Sequence, residues 1–135
     1  MNKFVYLHGF ASGPSSKKAS IFKNIFKEIG VTLITPDLEG GNFKNMTLSS
    51  QVKIIFDLLD QFQNKKVCLI GSSMGGYLAS LVAQRRLEVE ATYLMAPGFN
   101  FLDRWMRNLK LDCDNDTFWE PEIPIFHYRY DLTKY

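Results

Sequence analysis

The chain has 135 residues, of which 46% are hydrophobic and 22% are charged. These values are typical of a single globular domain, here expected over residues 1–135, which buries roughly two-thirds of the surface of its unfolded chain. The net charge is only +2 and the basic residues form separate pairs, so the composition argues against a nucleic-acid-binding protein.

The sequence shows no signal for a membrane, a targeting segment or a metal. No stretch has the roughly eighteen apolar residues of a membrane span, and the N-terminus lacks a signal-peptide pattern. We therefore expect a cytoplasmic protein that does not bind membranes. The acidic segment 112–116 lacks the glycine and the distal glutamate of a calcium loop. We expect neither a metal nor a cofactor.

Short apolar segments alternate with helix-compatible segments along most of the chain. The alternation predicts the α/β class, with a mostly parallel sheet and helices on both of its faces. The predicted elements are strand Lys3–Leu7, helix Ser16–Ile29, strand Val31–Thr35, helix Leu48–Phe62, strand Lys66–Ile70, helix Met74–Arg86 and strand Ala91–Met95.

Apolar residues recur at helical spacing in the first two predicted helices. Gly30 is the expected stop of the first helix, and Thr47 is the expected N-cap of the second. The apolar stripes consist of Ile21, Phe22, Ile25, Phe26 and Ile29 in the first helix and of Leu48, Val52, Ile55, Leu59 and Phe62 in the second.

The segment Gly71-Ser72-Ser73-Met74-Gly75 matches the pattern G-x-S-x-G between a predicted strand and a predicted helix. In this setting the serine is a nucleophile, because the glycines let the backbone bend sharply and leave the hydroxyl exposed. We therefore predict that Ser73 is a catalytic nucleophile. Two alternatives are a structural serine in a glycine-rich turn and a phosphate-binding turn, although the P-loop lysine is missing.

The first predicted strand ends in His8-Gly9-Phe10. In serine hydrolases of this architecture, the loop after that strand supplies one oxyanion-hole amide, and the residue after the nucleophile supplies the other. These amides would be the backbone N–H groups of Phe10 and Met74. The ring of His8 either braces the loop or serves as the catalytic base, and a plain strand-end turn is the structural alternative.

Several ordered segments carry a resemblance that spans nearly the whole chain. They are Tyr6–Pro14, Ser16–Ala19, Thr35–Leu38, Leu69–Tyr77, Leu94–Gly98 and Arg104–Tyr128. Together they resemble the small YqiA-type esterases, a compact branch of the α/β-hydrolase superfamily. The resemblance implies that the first strand lies beside the third, so that Phe10 and Ser73 meet at the strand ends.

In the family, two further strands follow and carry the acid and the histidine of the catalytic triad. The resemblance thus implies a truncated α/β-hydrolase core in which Ser73 is present and its acid and base lie beyond Tyr135. We expect the chain to be part of a longer protein. Without those further strands, Ala91–Met95 would be an uncovered sheet edge. The alternatives are that the C-terminal segment covers this edge or that the chain associates through it with a second copy.

A triad within this chain would have to follow the order Ser, then Asp or Glu, then His. Ser73, one of the three aspartates of 112–116 and then His127 satisfy that order, which makes His127 a candidate base. However, the segment 122–128 resembles the family's lid-side segment. The alternative for His127 is therefore a place in the aromatic cluster of 126–130.

The segment from about residue 98 to residue 135 departs from the regular alternation. Its apolar residues lie on one face of a short predicted helix, and several aromatic residues flank it. In related hydrolases such a segment is a lid over the acyl pocket, and ordinary core is the alternative. As a lid it would favour small or medium acyl groups.

These observations predict a serine hydrolase of carboxylesterase type. Ser73 would attack a small-molecule ester, the Phe10 and Met74 amides would bind the oxyanion, and water would release the acyl-enzyme. The alternative is a catalytically impaired hydrolase fold that binds a ligand or a protein partner. A competent base distinguishes the two, because a serine hydroxyl is a poor nucleophile without one.

Overall fold

A computed structural model of the chain describes residues 2–63 and 65–99. Strands and helices alternate along these residues, as the sequence predicts. The elements are β1 (Lys3–Leu7), α1 (Lys17–Glu28), β2 (Leu33–Ile34), α2 (Leu48–Asp60), β3 (Val67–Ser72), α3 (Met74–Ala83) and β4 (Val89–Met95). The predictions for 100–135, including the lid helix, lie outside the described residues.

The described strands form one parallel sheet in the order β2-β1-β3-β4. The chain runs from β1 outward to β2 and then crosses back to β3, so the strand order reverses between β1 and β3. Ligands bind open α/β sheets at such a point, outside the carboxyl ends of the strands. The predicted α/β class is confirmed, and so is the position of the first strand beside the third.

Helices cover both faces of the sheet because alternate side chains of each strand enter different cores. Val5 and Leu7 of β1 pack with Leu69 of β3 and with buried residues of α2 and α3. Tyr6 and Ile70 point to the opposite face, where they pack with residues of α1. This arrangement confirms the prediction of helices on both faces.

Local caps set the ends of the helices. The Thr47 hydroxyl accepts from the Ser50 amide at 3.0 Å, and the Ser50 hydroxyl accepts from the Thr47 amide at 2.8 Å, which forms a capping box at the start of α2. Gly30 follows α1 with a φ of 73° and donates to the Lys27 carbonyl. Both predicted caps are confirmed, and the predicted stripe of α2 is buried throughout.

The first helix requires a correction. Phe22 and Phe26 pack against the sheet, whereas Ile21, Ile25 and Ile29 are between 48% and 69% exposed. Helical spacing groups these five residues on one side of the helix, but the sheet is narrow and covers only part of that side. Three of the five residues of the predicted stripe therefore lie at the surface of the described structure.

Some predicted boundaries also shift. The second strand is limited to Leu33–Ile34 because only these residues pair with β1. The third helix ends at Ala83, where the amide of Arg85 bonds to the Val82 carbonyl three residues back instead of four. Within the described sheet β4 pairs on one side only, and its residues 90–93 are exposed. Self-association through this edge stays a prediction.

Candidate active site

The turn between β3 and α3 holds Ser73 in a strained conformation. Its φ is 55° and its ψ is −118°, and the residue is exposed although its neighbours Ser72 and Met74 are buried. A non-glycine residue in this region costs roughly 1–3 kcal/mol and persists only where the surroundings fix it. The turn therefore presents a hydroxyl to solvent at the point where the strand order reverses.

Backbone hydrogen bonds from two sides fix this turn. The Ser73 amide donates to the Met95 carbonyl at the end of β4, at 2.9 Å. The Ser73 carbonyl accepts from the amide of Gly98 at 2.7 Å and from the amide of Gly76 at 3.0 Å. The loop after β4 thus joins the site, a contribution that spacing along the sequence does not reveal.

The glycines of the turn permit backbone contacts that a side chain would prevent. A Cβ added to Gly75 would lie 2.5 Å from the Leu7 carbonyl carbon and 2.8 Å from the His8 carbonyl oxygen. A Cβ added to Gly71 would lie 2.5 Å from the Gly75 carbonyl carbon. The start of α3 can therefore approach the end of β1 only without these side chains.

The loop after β1 lies directly against the turn at Ser73. A Cβ placed on Gly9 would be 3.5 Å from the Ser73 Cβ. From Gly9 the chain makes a tight turn in which the Ser12 amide donates to the Gly9 carbonyl, and Ala11 has a φ of 54°. The structure thus brings the Gly9–Phe10 peptide next to Ser73, and Met74 adjoins Ser73 as the first residue of α3.

His8 is buried, with 2% of its surface exposed, and both of its ring nitrogens contact the backbone. Nε2 accepts from the Leu38 amide at 3.0 Å, so the ring hydrogen lies on Nδ1, which donates to the Gly9 carbonyl at 2.9 Å. Of the two expectations for His8, these contacts support the brace, because Nε2 is occupied by a backbone donor.

The hydrogen bond from His8 to the Gly9 carbonyl also bears on the direction of the next backbone amide. The described peptide bonds are trans, so the Gly9 carbonyl and the Phe10 N–H point in opposite directions. By holding the carbonyl on the ring side, His8 fixes the direction of the Phe10 amide.

A second polar contact, which the sequence analysis missed, lies on the α1 side of the turn. The Lys18 ammonium donates to the Ser72 hydroxyl at 2.9 Å. Burial raises the pKa of the Tyr6 phenol, and the Ser72 side chain beside it partly opposes this effect. The sequence indicates this contact only by placing Lys18 within Ser16–Ala19, one of the segments that resemble the YqiA-type esterases.

The structure does not describe the remaining predicted site residues. His127 and the aspartates of 112–116 lie outside the described residues. Within 2–63 and 65–99, no group of three or more histidine, cysteine or acidic side chains is arranged to hold a metal ion. No helix in the same part of the chain combines the length and apolarity that a membrane crossing needs.

The fold and the strained serine turn define the class as an α/β-hydrolase core, and comparison with known proteins identifies the family. The model of a family described as "Uncharacterised protein family (UPF0227)" matches residues 3–134, and the chain belongs to this family. The resemblance to YqiA-type esterases found in the sequence is confirmed.

Individual relatives agree with this fold. "Putative esterase/lipase 2" of Mycoplasma pneumoniae is 36% identical over 103 residues, which cover 71% of this chain and 38% of that protein. The structure of Est1E from Butyrivibrio proteoclasticus with ferulic acid superposes with a TM-score of 0.70 at 20% identity, over 79% of this chain and 47% of Est1E. Mouse alpha/beta hydrolase domain-containing protein 10 superposes with a TM-score of 0.66 at 22% identity, over 98% of this chain and 55% of the mouse protein. The chain spans less than half the length of the first two.

Proposed function

We propose that the protein is a serine hydrolase of carboxylesterase type that cleaves small or medium acyl esters through an acyl-enzyme on Ser73. One observation carries the proposal: Ser73 is exposed at a positive φ between β3 and α3, with the loop after β1 against it. Strand–turn–helix geometry of this kind is the context in which G-x-S-x-G supplies a nucleophile. A structural serine has no need of an exposed hydroxyl on a strained backbone.

The Phe10 and Met74 amides form the oxyanion hole in this proposal. Met74 is the first residue of α3, and the first amides of a helix have no partner within it. The Phe10 amide belongs to the peptide whose carbonyl His8 holds, so its direction is set before substrate binds. Each fixed donor to the developing oxyanion lowers the barrier by about 2.7–4 kcal/mol.

The reaction then has two steps. A base removes the proton of the Ser73 hydroxyl as its oxygen attacks the ester carbonyl, and the tetrahedral intermediate expels the alcohol, which takes that proton. Water, deprotonated by the same base, attacks the acyl-enzyme and releases the acid and the free serine. His127 is the candidate base within this sequence, because the ring of His8 is engaged by the backbone.

Aromatic side chains near the turn support an apolar acyl group. Phe10 packs against Phe43 with ring centroids 5.4 Å apart, and Tyr77 contacts Phe99 edge-to-face at 6.2 Å. Phe99 is 46% exposed in the described structure. The relative named "Putative esterase/lipase 2" and the ferulic acid complex of Est1E agree with an ester substrate that has an apolar acyl part.

Labelling with a fluorophosphonate probe tests the proposal. We expect covalent labelling of the chain that Ser73→Ala abolishes and that Ser20→Ala, at an exposed serine of α1, leaves intact. Rates with p-nitrophenyl acetate, butyrate and octanoate then report the acyl length. Labelling that survives Ser73→Ala would contradict the nucleophile assignment. A folded chain without labelling would lack a competent base, which would contradict the esterase proposal and favour the catalytically impaired alternative.

His127→Ala in the same assay tests the base. Labelling that falls to the level of Ser73→Ala would support His127 in that role. Unchanged labelling would mean that His127 is not the base.

A further inference from the structure

Lys18 directs its charge toward the protein interior behind the nucleophile. Its ammonium lies 2.9 Å from the Ser72 hydroxyl, and Ser72 is only 6% exposed. Long cationic side chains ordinarily bury the stem and keep the charged head in water. Here the residue as a whole is exposed, yet the head contacts a buried hydroxyl next to Ser73.

The contact ties the first helix to the strand that carries the turn. Ser72 is the last residue of β3, and its hydroxyl has lone pairs that can accept from the ammonium of Lys18 in α1. On the same face of the sheet, Tyr6 of β1 is 2% exposed and its ring stacks on Phe22 of α1 at 5.7 Å. The bond from Lys18 therefore adds a polar link to the end of β3 beside the apolar packing of α1 on β1.

The placement of Lys18 is unfavourable on local grounds. It lies in the first turn of α1, where the helix dipole favours acidic side chains, and this turn contains none. Among residues 2–63 and 65–99, no carboxylate forms a salt bridge with it. Lys18 thus departs from the charge preference of the first helical turn and still contacts a buried hydroxyl. Departures of this kind are expected at functional or strained sites.

We propose that Lys18 is a positioning residue for Ser73, acting by anchoring Ser72 so that the strained turn keeps its geometry. The backbone of Ser72 leads directly into Ser73, and a conformation at positive φ persists only where neighbouring contacts hold it. A hydrogen bond from a cation is among the stronger contacts available for this purpose. The catalytic consequence rests on the function proposed above, whereas the anchoring does not.

Amide hydrogen exchange measured residue by residue tests the anchor. Lys18→Met retains an unbranched apolar side chain and removes the donor. We expect the Ser73 and Gly98 amides, which bond across the turn, to exchange about ten-fold faster, the size expected for one charge-assisted hydrogen bond. Lys17→Met, at the adjacent exposed lysine, is the matched control and should leave exchange unchanged.

Two further comparisons separate positioning from general stability. The amide of Leu69 in the interior of β3 should exchange at an unchanged rate in Lys18→Met, and Lys18→Arg, which keeps a cationic donor, should restore most of the protection at Ser73. Equal acceleration at Leu69 and Ser73 would show a merely structural role and overturn the proposal. Identical exchange in Lys18→Met and Lys17→Met would overturn it as well.

Fluorophosphonate labelling of the same variants connects the anchor to chemistry. We expect Lys18→Met to lower the maximal labelling rate of Ser73 about ten-fold, with the probe concentration at half-maximal rate little changed. A normal rate in a variant whose turn has loosened would overturn the positioning role. If the unmodified chain is not labelled at all, the proposed function fails, while the exchange data still decide whether Lys18 anchors the turn.

Discussion

Gly75→Ala is the sharpest test of the geometry around Ser73. The added methyl would lie 2.5 Å from the Leu7 carbonyl carbon and 2.8 Å from the His8 carbonyl oxygen, where ordinary contacts begin at 3.4 Å. Both opposing groups are backbone, so no side chain can rotate away. The start of α3 must therefore retreat from the end of β1 by most of an ångström or more.

Two effects of this substitution oppose each other, and their magnitudes decide the outcome. Alanine in place of glycine favours a helix by about 0.8–1 kcal/mol. Overpacking in a close-packed region costs about 1–3 kcal/mol and occasionally more, and the cost is greatest where rigid backbone must move. We expect a net loss of about 1–2 kcal/mol in the free energy of unfolding.

The loss of reactivity should exceed the loss of stability. A displacement of about 1 Å at a reacting group can reduce a rate about 100-fold, so the labelling rate of Ser73 should fall by that order. Urea unfolding followed by circular dichroism and fluorophosphonate labelling measure the two effects. Gly13→Ala is the matched control, because a Cβ there meets nothing within 4 Å and the residue has no positive φ. A Gly75→Ala protein as stable and as reactive as Gly13→Ala would refute the reasoning.

Two further predictions concern polar contacts. His8→Phe leaves the Leu38 amide without its acceptor and leaves the Gly9 carbonyl with the Ser12 amide as its donor. The free energy of unfolding should therefore fall by about 1–3 kcal/mol, and Ser73 labelling should slow. Unchanged labelling would exclude His8 as a brace for the Phe10 amide. Arg86 donates a hydrogen bond to Glu88, and this bond lowers the pKa of the Glu88 carboxyl. The pair therefore stabilises the fold fully above the ordinary carboxyl pKa of about 4.3. This stabilisation is lost as the pH falls through the lowered pKa of Glu88. Arg86→Met should therefore lower the free energy of unfolding by about 1 kcal/mol near neutral pH. Urea unfolding should show that the difference in this free energy between variant and wild type shrinks in acid. A free-energy difference that does not depend on pH would contradict the stabilising role of the Arg86–Glu88 pair.

Features that depend on neighbours in the sequence could be predicted well. The strained turn at Ser73, the cap at Thr47 and the stop at Gly30 depend on residues within a few positions of each other, and residue type alone restricts the backbone there. The strand order is a long-range property, and it followed from family resemblance rather than from periodicity.

Contacts between distant segments could not be predicted in the same way. His8 reaches Leu38 and Lys18 reaches Ser72 across 30 and 54 positions, and no pattern in the sequence pairs them. The exposed isoleucines of α1 have the same origin. Helical spacing shows which residues share a side of the helix, but only the width of the sheet decides how much of that side is covered.

The geometry of Ser73 depends on the ends of three strands at once. Gly9 follows β1, Ser73 itself follows β3, and the amide of Gly98, after β4, donates to the Ser73 carbonyl at 2.7 Å. These contacts lie within the described residues and do not involve the candidate base His127. The turn should therefore be formed whether or not a base acts on it, because its strain is offset by packing and backbone bonds. Protection of the Ser73 amide reports the turn, labelling of its hydroxyl reports the base, and a protected but unlabelled serine would locate the deficiency in the base.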